Sequence, residues 1–209
     1  MVQIENIEKL RFKFCITLDN GQKYYLTKSQ FYERGLKAGQ EIDPEEFDHW
    51  VLLNQYRSAL DKAVVMLARR PCSKGEIEIK LFHSGYSSQT IEMVLYKLEK
   101  ESLINDEDFA KQWIQYRRSQ KLGEKKIAAE LKYKKNVSPE IVDQVMLETA
   151  NDETELEQAS ELALKLNDRY KKENDPLKKK QKIMRALVQK GYSWDIAKEA
   201  FMKISDSEV

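Results

Sequence analysis

The chain has 209 residues, a formal net charge of +1 at pH 7, 34% charged and 41% hydrophobic residues, which allows one large or two small domains with a sizeable core and points to a long, helix-rich surface. The near-neutral balance excludes a molecule drawn as a whole to nucleic acid or membrane, so any such pull is local. No apolar run approaches the roughly 18 residues that span a bilayer, and MVQIENIEKL lacks a signal peptide's basic start and apolar block, so a cytoplasmic protein without membrane contact is expected.

Its first fifty residues read differently from the rest. In LRFKFCITLDNGQKYYL, Phe12, Phe14, Ile16 and Leu18 alternate with Arg11, Lys13, Cys15 and Thr17, the period of two that buries one face of a strand. Asn20-Gly21 suits a tight hairpin turn, and Tyr24-Tyr25-Leu26 reads as the returning strand. KSQFYERGLKAGQEI predicts a short helix ending near Gly35, a turn at Gly39 and a short strand around Ile42, completing a β-rich extension over 1–43. Asp43-Pro44-Glu45-Glu46 supplies a capping carboxylate, a first-turn proline and two acids at the positive end of a helix dipole. No breaker follows before Arg70, so a linking helix over 44–57 runs into the first repeat, where Leu60, Ala63, Val64, Leu67 and Ala68 form an apolar stripe.

Three tandem three-helix repeats follow, over 58–104, 105–150 and 151–209. In the first, Pro71 ends a helix, Ser73 and Glu76 form a capping box, Ile77, Leu81 and Phe82 enter a second helix, and Gly85 stops it. Ser87 then caps a third helix carrying Ile91, Val94, Leu95 and Leu98. The second repeats this with Phe109, Ala110, Trp113 and Ile114, then Ile127 and Leu131, then Val142, Val145 and Met146 after Ser138-Pro139. Asn136 stands there in the glycine's place, a residue that also tolerates positive φ. The third places Ala159, Leu162, Ala163 and Leu166, then Ile183 and Leu187, then Gly191-Tyr192-Ser193 before Ala197, Ala200 and Phe201. Such an array stacks each repeat on its neighbour as a curved, elongated rod. Tyr86 and Tyr192 are expected to pack across their elbows with their hydroxyls in water, and Trp113 to join a core.

Leu67-Ala68-Arg69-Arg70-Pro71, the Gly85-Tyr86-Ser87 elbow, Leu103-Ile104-Asn105-Asp106 leading to Phe109-Ala110, and the series Arg117, Gly123, Ile127, Leu131 together resemble the bacterial RecX family, modulators of the RecA recombinase. The resemblance runs through all three repeats and weakens in DRYKKENDPLKKKQK; Cys72 departs from the basic residue that many members carry after the proline. It implies a non-enzymatic regulator that lies in the helical groove of the RecA filament on single-stranded DNA and inhibits its ATP hydrolysis, strand exchange and SOS co-protease role. A rod with a basic stripe suits such a groove.

Between Lys111 and Lys135 stand nine basic residues against two acids, Glu124 and Glu130. A lysine-rich helix face is ordinarily just solvated; with the resemblance, Arg117, Arg118, Lys121, Lys125, Lys126, Lys132, Lys134 and Lys135 become candidate filament and DNA contacts, joined by Arg69 and Arg70 at a helix C-terminus. Arginines suit bidentate contacts and lysines act as point charges. The KKKQK run from Lys178 to Lys182 reads as a solvated helix start.

Catalytic signatures are missing: no phosphate loop, no nucleophile elbow, no zinc helix. His49 and His83 are isolated, and Cys15 and Cys72 lack C-x-x-C spacing, so free thiols and neither metal nor cofactor are expected. The expected partners of this monomer are the RecA filament and, within it or weakly alone, single-stranded DNA. The alternative is an independent nucleic-acid-binding helical array that competes for DNA.

Overall fold

Strands β1 (Val2–Lys9), β2 (Lys13–Leu18), β3 (Lys23–Thr27) and β4 (Glu41–Ile42) form an antiparallel sheet in the order β3-β2-β1-β4 in the computed structural model, which describes residues 1–206. The last three residues of the third expected repeat, 207–209, lie outside them. Across the β2–β3 turn, Gly21 holds φ 82° and the Gln22 amide donates to Asn20 Oδ1 at 3.0 Å. Strand β1 has no counterpart in the sequence reading. Its pairing shifts at a bulge between Ile4 and Asn6, so its core-facing residues, Ile4 and Ile7, fall an odd number of steps apart and break the period of two. Phe12 corrects the expected alternation, being 46% exposed, whereas Phe14, Cys15 and Ile16 are all buried, so the centre of β2 is covered on both faces.

Helix α1 (Lys28–Arg34) opens on a capping box between Thr27 and Gln30 and stops at left-handed Gly35. Helix α2 (Pro44–Leu67) opens on Asp43, whose carboxylate accepts from the amides of Glu45 and Glu46. Its first turns pack Phe47, Trp50 and Val51 on the sheet core of Ile4, Ile16, Leu18 and Leu26. Its last turns enter a different core, where Ala59 and Ala63 meet residues of α3 (Lys74–His83) and α4 (Ser88–Lys100), among them Leu81, Val94 and Leu98. Gln55 sits at the crossover, 1% exposed. It donates to Tyr25 O at 2.8 Å and accepts from the Ser87 amide and the Thr90 hydroxyl at 3.1 Å each, so no amide group is buried unpaired between the two cores.

Two compact units result, residues 1–105 and the chain from Asp106 on. The first holds the sheet and α1–α4. In the second, α5 (Asp106–Ser119), α6 (Glu124–Tyr133) and α7 (Pro139–Glu148) enclose Phe109, Ala110, Ile114, Ile127, Leu131, Val142 and Val145. Helices α8 (Asp152–Arg169), α9 (Pro176–Lys190) and α10 (Trp194–Asp206) enclose Ala159, Ala163, Ile183, Leu187, Ala197 and Ala200. Both sets are the positions picked out by helical periodicity; each large aliphatic chain buried there contributes roughly 1.5–3 kcal/mol. The fold class is the one expected, mainly helical with three three-helix repeats and a small strand-containing extension. Among the described residues no helix is long and apolar enough to cross a membrane.

Candidate functional site

Each repeat turns its last corner on one left-handed residue: Gly85 at φ 95°, Asn136 at φ 52° and Gly191 at φ 102°. A serine two residues on caps the next helix, with Ser87 Oγ accepting from the Thr90 amide, Ser138 Oγ from Ile141 and Ser193 Oγ from Ile196. The residue between is buried in all three, as Tyr86, Val137 and Tyr192. The tyrosine hydroxyls are not in water as expected: Tyr86 bonds the Ser58 hydroxyl at 2.7 Å, and Tyr192 donates to Lys121 O at 3.1 Å. Burial, then the charges of Glu155, Glu124 and Glu161, push the Tyr192 phenol up to about 12, so it stays a neutral donor.

In the second unit, the third elbow docks on the second three-helix domain. The amides of Gly123 and Lys125 donate to Lys190 O (3.0 Å) and Gly191 O (3.2 Å), and the Lys126 ammonium reaches Gln189 O at 3.3 Å. Amides at the start of α6 thereby satisfy the last carbonyls of α9, the positive end of one dipole meeting the negative end of another. A Cβ on Gly123 would lie 2.3 Å from the Tyr192 amide nitrogen, and one on Gly191 would lie 2.3 Å from Lys126 Cβ. Gly123 was placed by the sequence reading only in a motif series. The signal for its role was available: a glycine with no side chain to offer occupies an N-cap position, where Ser, Thr, Asp or Asn usually stands.

The candidate cations divide by partner. Arg117 grips Glu130 with two hydrogen bonds of 2.7 Å, and Lys134 lies 3.5 Å from the same carboxylate. Burial pushes the Glu130 carboxyl up, but the hydrogen bonds and charge of Arg117, then Lys134, outweigh it and hold the group below its ordinary value. Arg118 pairs with Glu124 at 2.7 Å, Lys132 with Asp143 at 2.5 Å, and Lys121 with Glu161. The Lys135 ammonium sits 4.2 Å above the Trp113 ring, with the Arg117 guanidinium at 5.6 Å; Trp113 is only partly buried, at the edge of its core. Lys125 is exposed and has no ion pair among the described residues. In the first unit, Arg70 makes a bidentate pair with Glu76 at 2.9 and 3.0 Å, and Arg69 is exposed at the end of its helix. The structure thus brings Arg117, Lys134 and Lys135 around Glu130 and Trp113, and Lys121 and Lys126 against the third domain. Among the described residues no His, Cys, Asp and Glu group could hold a metal ion.

Three family models match in tandem: "RecX, first three-helix domain" over residues 59–98, "RecX, second three-helix domain" over 105–146 and "RecX, third three-helix domain" over 153–201. The chain is 29% identical over 207 residues to the regulatory protein RecX of Clostridium acetobutylicum, covering 96% of each. It is 30% identical over 196 residues to that of Listeria monocytogenes serotype 4a, covering 92% of this chain and 71% of the relative. Among solved structures, RecX from Lactobacillus salivarius superposes with a TM-score of 0.66 at 25% identity over 73% of this chain and 98% of that one. A second crystal structure, of a regulatory protein RecX, gives 0.63 at 24% identity over 95% and 98%.

Proposed function

The chain belongs to the RecX family, and on that premise we propose that it is a non-enzymatic, cytoplasmic, monomeric regulator that binds the RecA filament on single-stranded DNA along its groove and inhibits ATP hydrolysis, strand exchange and SOS co-protease activity. The observation that carries this reading over simple DNA binding is the pairing of cations within the second domain. A protein that lives on phosphate contacts holds cations free to displace counterions, whereas Arg117, Arg118, Lys121 and Lys132 each face a carboxylate of this chain. A surface of alternating paired charges suits a protein surface of complementary pattern and sets register more than raw affinity.

Within that reading the residues take different parts. Arg117, Arg118 and Arg70 hold the scaffold. Lys125, Lys134 and Arg69, exposed at the ends of their helices, make the outward contacts, and Lys121 and Lys132 exchange partners at little cost, since exposed pairs are worth about 0–1 kcal/mol. Lys126 and Lys135 serve the interdomain junction and the Trp113 face first. Direct nucleic-acid binding finds a place in α9, where Lys178, Lys182 and Arg185 line a cleft of about 280 Å³ with Tyr170, but there too Lys178 pairs with Asp175 and Lys182 with Glu173. The test is cosedimentation with RecA filaments: Lys125→Glu combined with Arg69→Glu weakens binding with no change in thermal stability. Undiminished binding removes both residues from the interface.

A further inference from the structure

A cleft of about 710 Å³ in the first unit takes no part in the reading above. Lys62 of α2, Lys80 of α3 and Lys28 at the start of α1 line it, with Phe12, His83 and Tyr86. Three separate elements therefore contribute lysines to one lining. None of the three lysines has an ion pair among the described residues, and Asp61 is the one acid in the lining. Elsewhere in the same unit Lys74 pairs with Glu99 and Lys97 with Glu101; what sets the cleft apart is that three unpaired lysines line one space. Burial, and to a lesser extent the charge of Lys80, pull the Lys62 ammonium below its ordinary value. Hydroxyls and a ring complete the lining. Ser58 Oγ and Tyr86 Oη share a hydrogen bond of 2.7 Å, and Phe12, 46% exposed, meets His83 edge to face at 5.9 Å.

We propose that this cleft binds a free nucleoside di- or triphosphate, with the phosphates between Lys62 and Lys80 and the base against Phe12. The volume lies within the roughly 300–1,000 Å³ of small-ligand sites. Cations concentrated on one spot suit a terminal polyphosphate, which carries several charges together, better than a strand, which spreads one charge per nucleotide. An exposed aromatic ring offers a stacking face to any base. The inference is independent of the partner proposed above, because it is read on the protein alone.

Equilibrium dialysis of the full chain against labelled ADP and ATP, with oligothymidylate as a second probe, tests it. The expected result is one nucleotide per chain, weakened at least about tenfold by Lys62→Met and by Lys80→Met, as for loss of one charge-assisted contact. In the absence of nucleotide both variants melt at or above the wild-type temperature, because each removes one of two facing like charges. Absence of saturation at millimolar nucleotide overturns the proposal, as does unchanged binding in the two variants. A lower melting temperature in either variant contradicts the unpaired-charge premise. Oligothymidylate binding that both variants lose and ADP does not displace makes the cleft a strand contact instead.

Discussion

The elbows at Gly191 and Asn136 bend the chain alike and are held in opposite ways. At Gly191 backbone lies on backbone: Gly123 and Gly191 leave no room for a Cβ on either side, and the contact joins two domains. At Asn136 the left-handed residue is exposed. The corner is anchored instead by charge, with the Lys134 and Lys135 amides donating to Glu130 O and the Glu130 carboxylate taking Arg117 and Lys134. Gly85 stands between these cases, since a Cβ there would lie 2.9 Å from Lys13 Cβ and 3.6 Å from Phe12 O. Positive φ alone therefore does not demand glycine at these three elbows; there glycine stands at the two where a neighbour also presses on the corner.

The difference can be broken at several points, the largest effect first. Gly123→Ala drives a methyl into the Tyr192 amide without any backbone penalty of its own, so chemical denaturation should show a loss of about 3 kcal/mol or more, confined to the second unit. Glu130→Gln leaves Arg117 without its carboxylate and should cost about 2 kcal/mol, less than a fully buried pair because Arg117 keeps some water. Its pH behaviour sharpens the contrast. The folded-state pKa of Glu130 lies below its ordinary 4.5, so this stabilisation is present above that value and is lost as pH falls through the lower folded value. An acid titration of the wild type should show this loss and the Gln variant should lack it. Gly85→Ala combines left-handed strain with a contact on Lys13, for about 1–2 kcal/mol by thermal melting. Asn136→Gly, where nothing presses, should stay within about 0.5 kcal/mol of wild type.

Much of this was legible in the sequence because it is governed locally. Capping boxes at Ser73, the proline at the start of α7 and the αL positions at Gly85, Asn136 and Gly191 all follow from a few neighbouring residues. Strand β1 was not legible, since its bulge removes the alternation by which a strand is recognised. Nor was the division of the basic stripe. Arg117 and Glu130 are 13 residues apart on different helices, and only the turn between α5 and α6 brings them together. One hint was present: Glu130 sits beside Leu131 and three residues after Ile127, on the apolar side of α6, where an acid needs a buried partner. The tyrosines taught the same lesson, for a hydroxyl can find a carbonyl 71 residues away, as Tyr192 finds Lys121, and no local rule contains that distance.

What the paired charges of the second domain face decides between filament and bare DNA as the ligand. The direct measurement is DNA-dependent ATP hydrolysis by RecA, titrated with this protein, with its binding to bare single-stranded DNA followed in the same buffer. Inhibition well below the concentration that coats bare DNA is the predicted result and makes the filament the ligand. Inhibition that appears only as bare DNA saturates would contradict it and leave competition for DNA in its place.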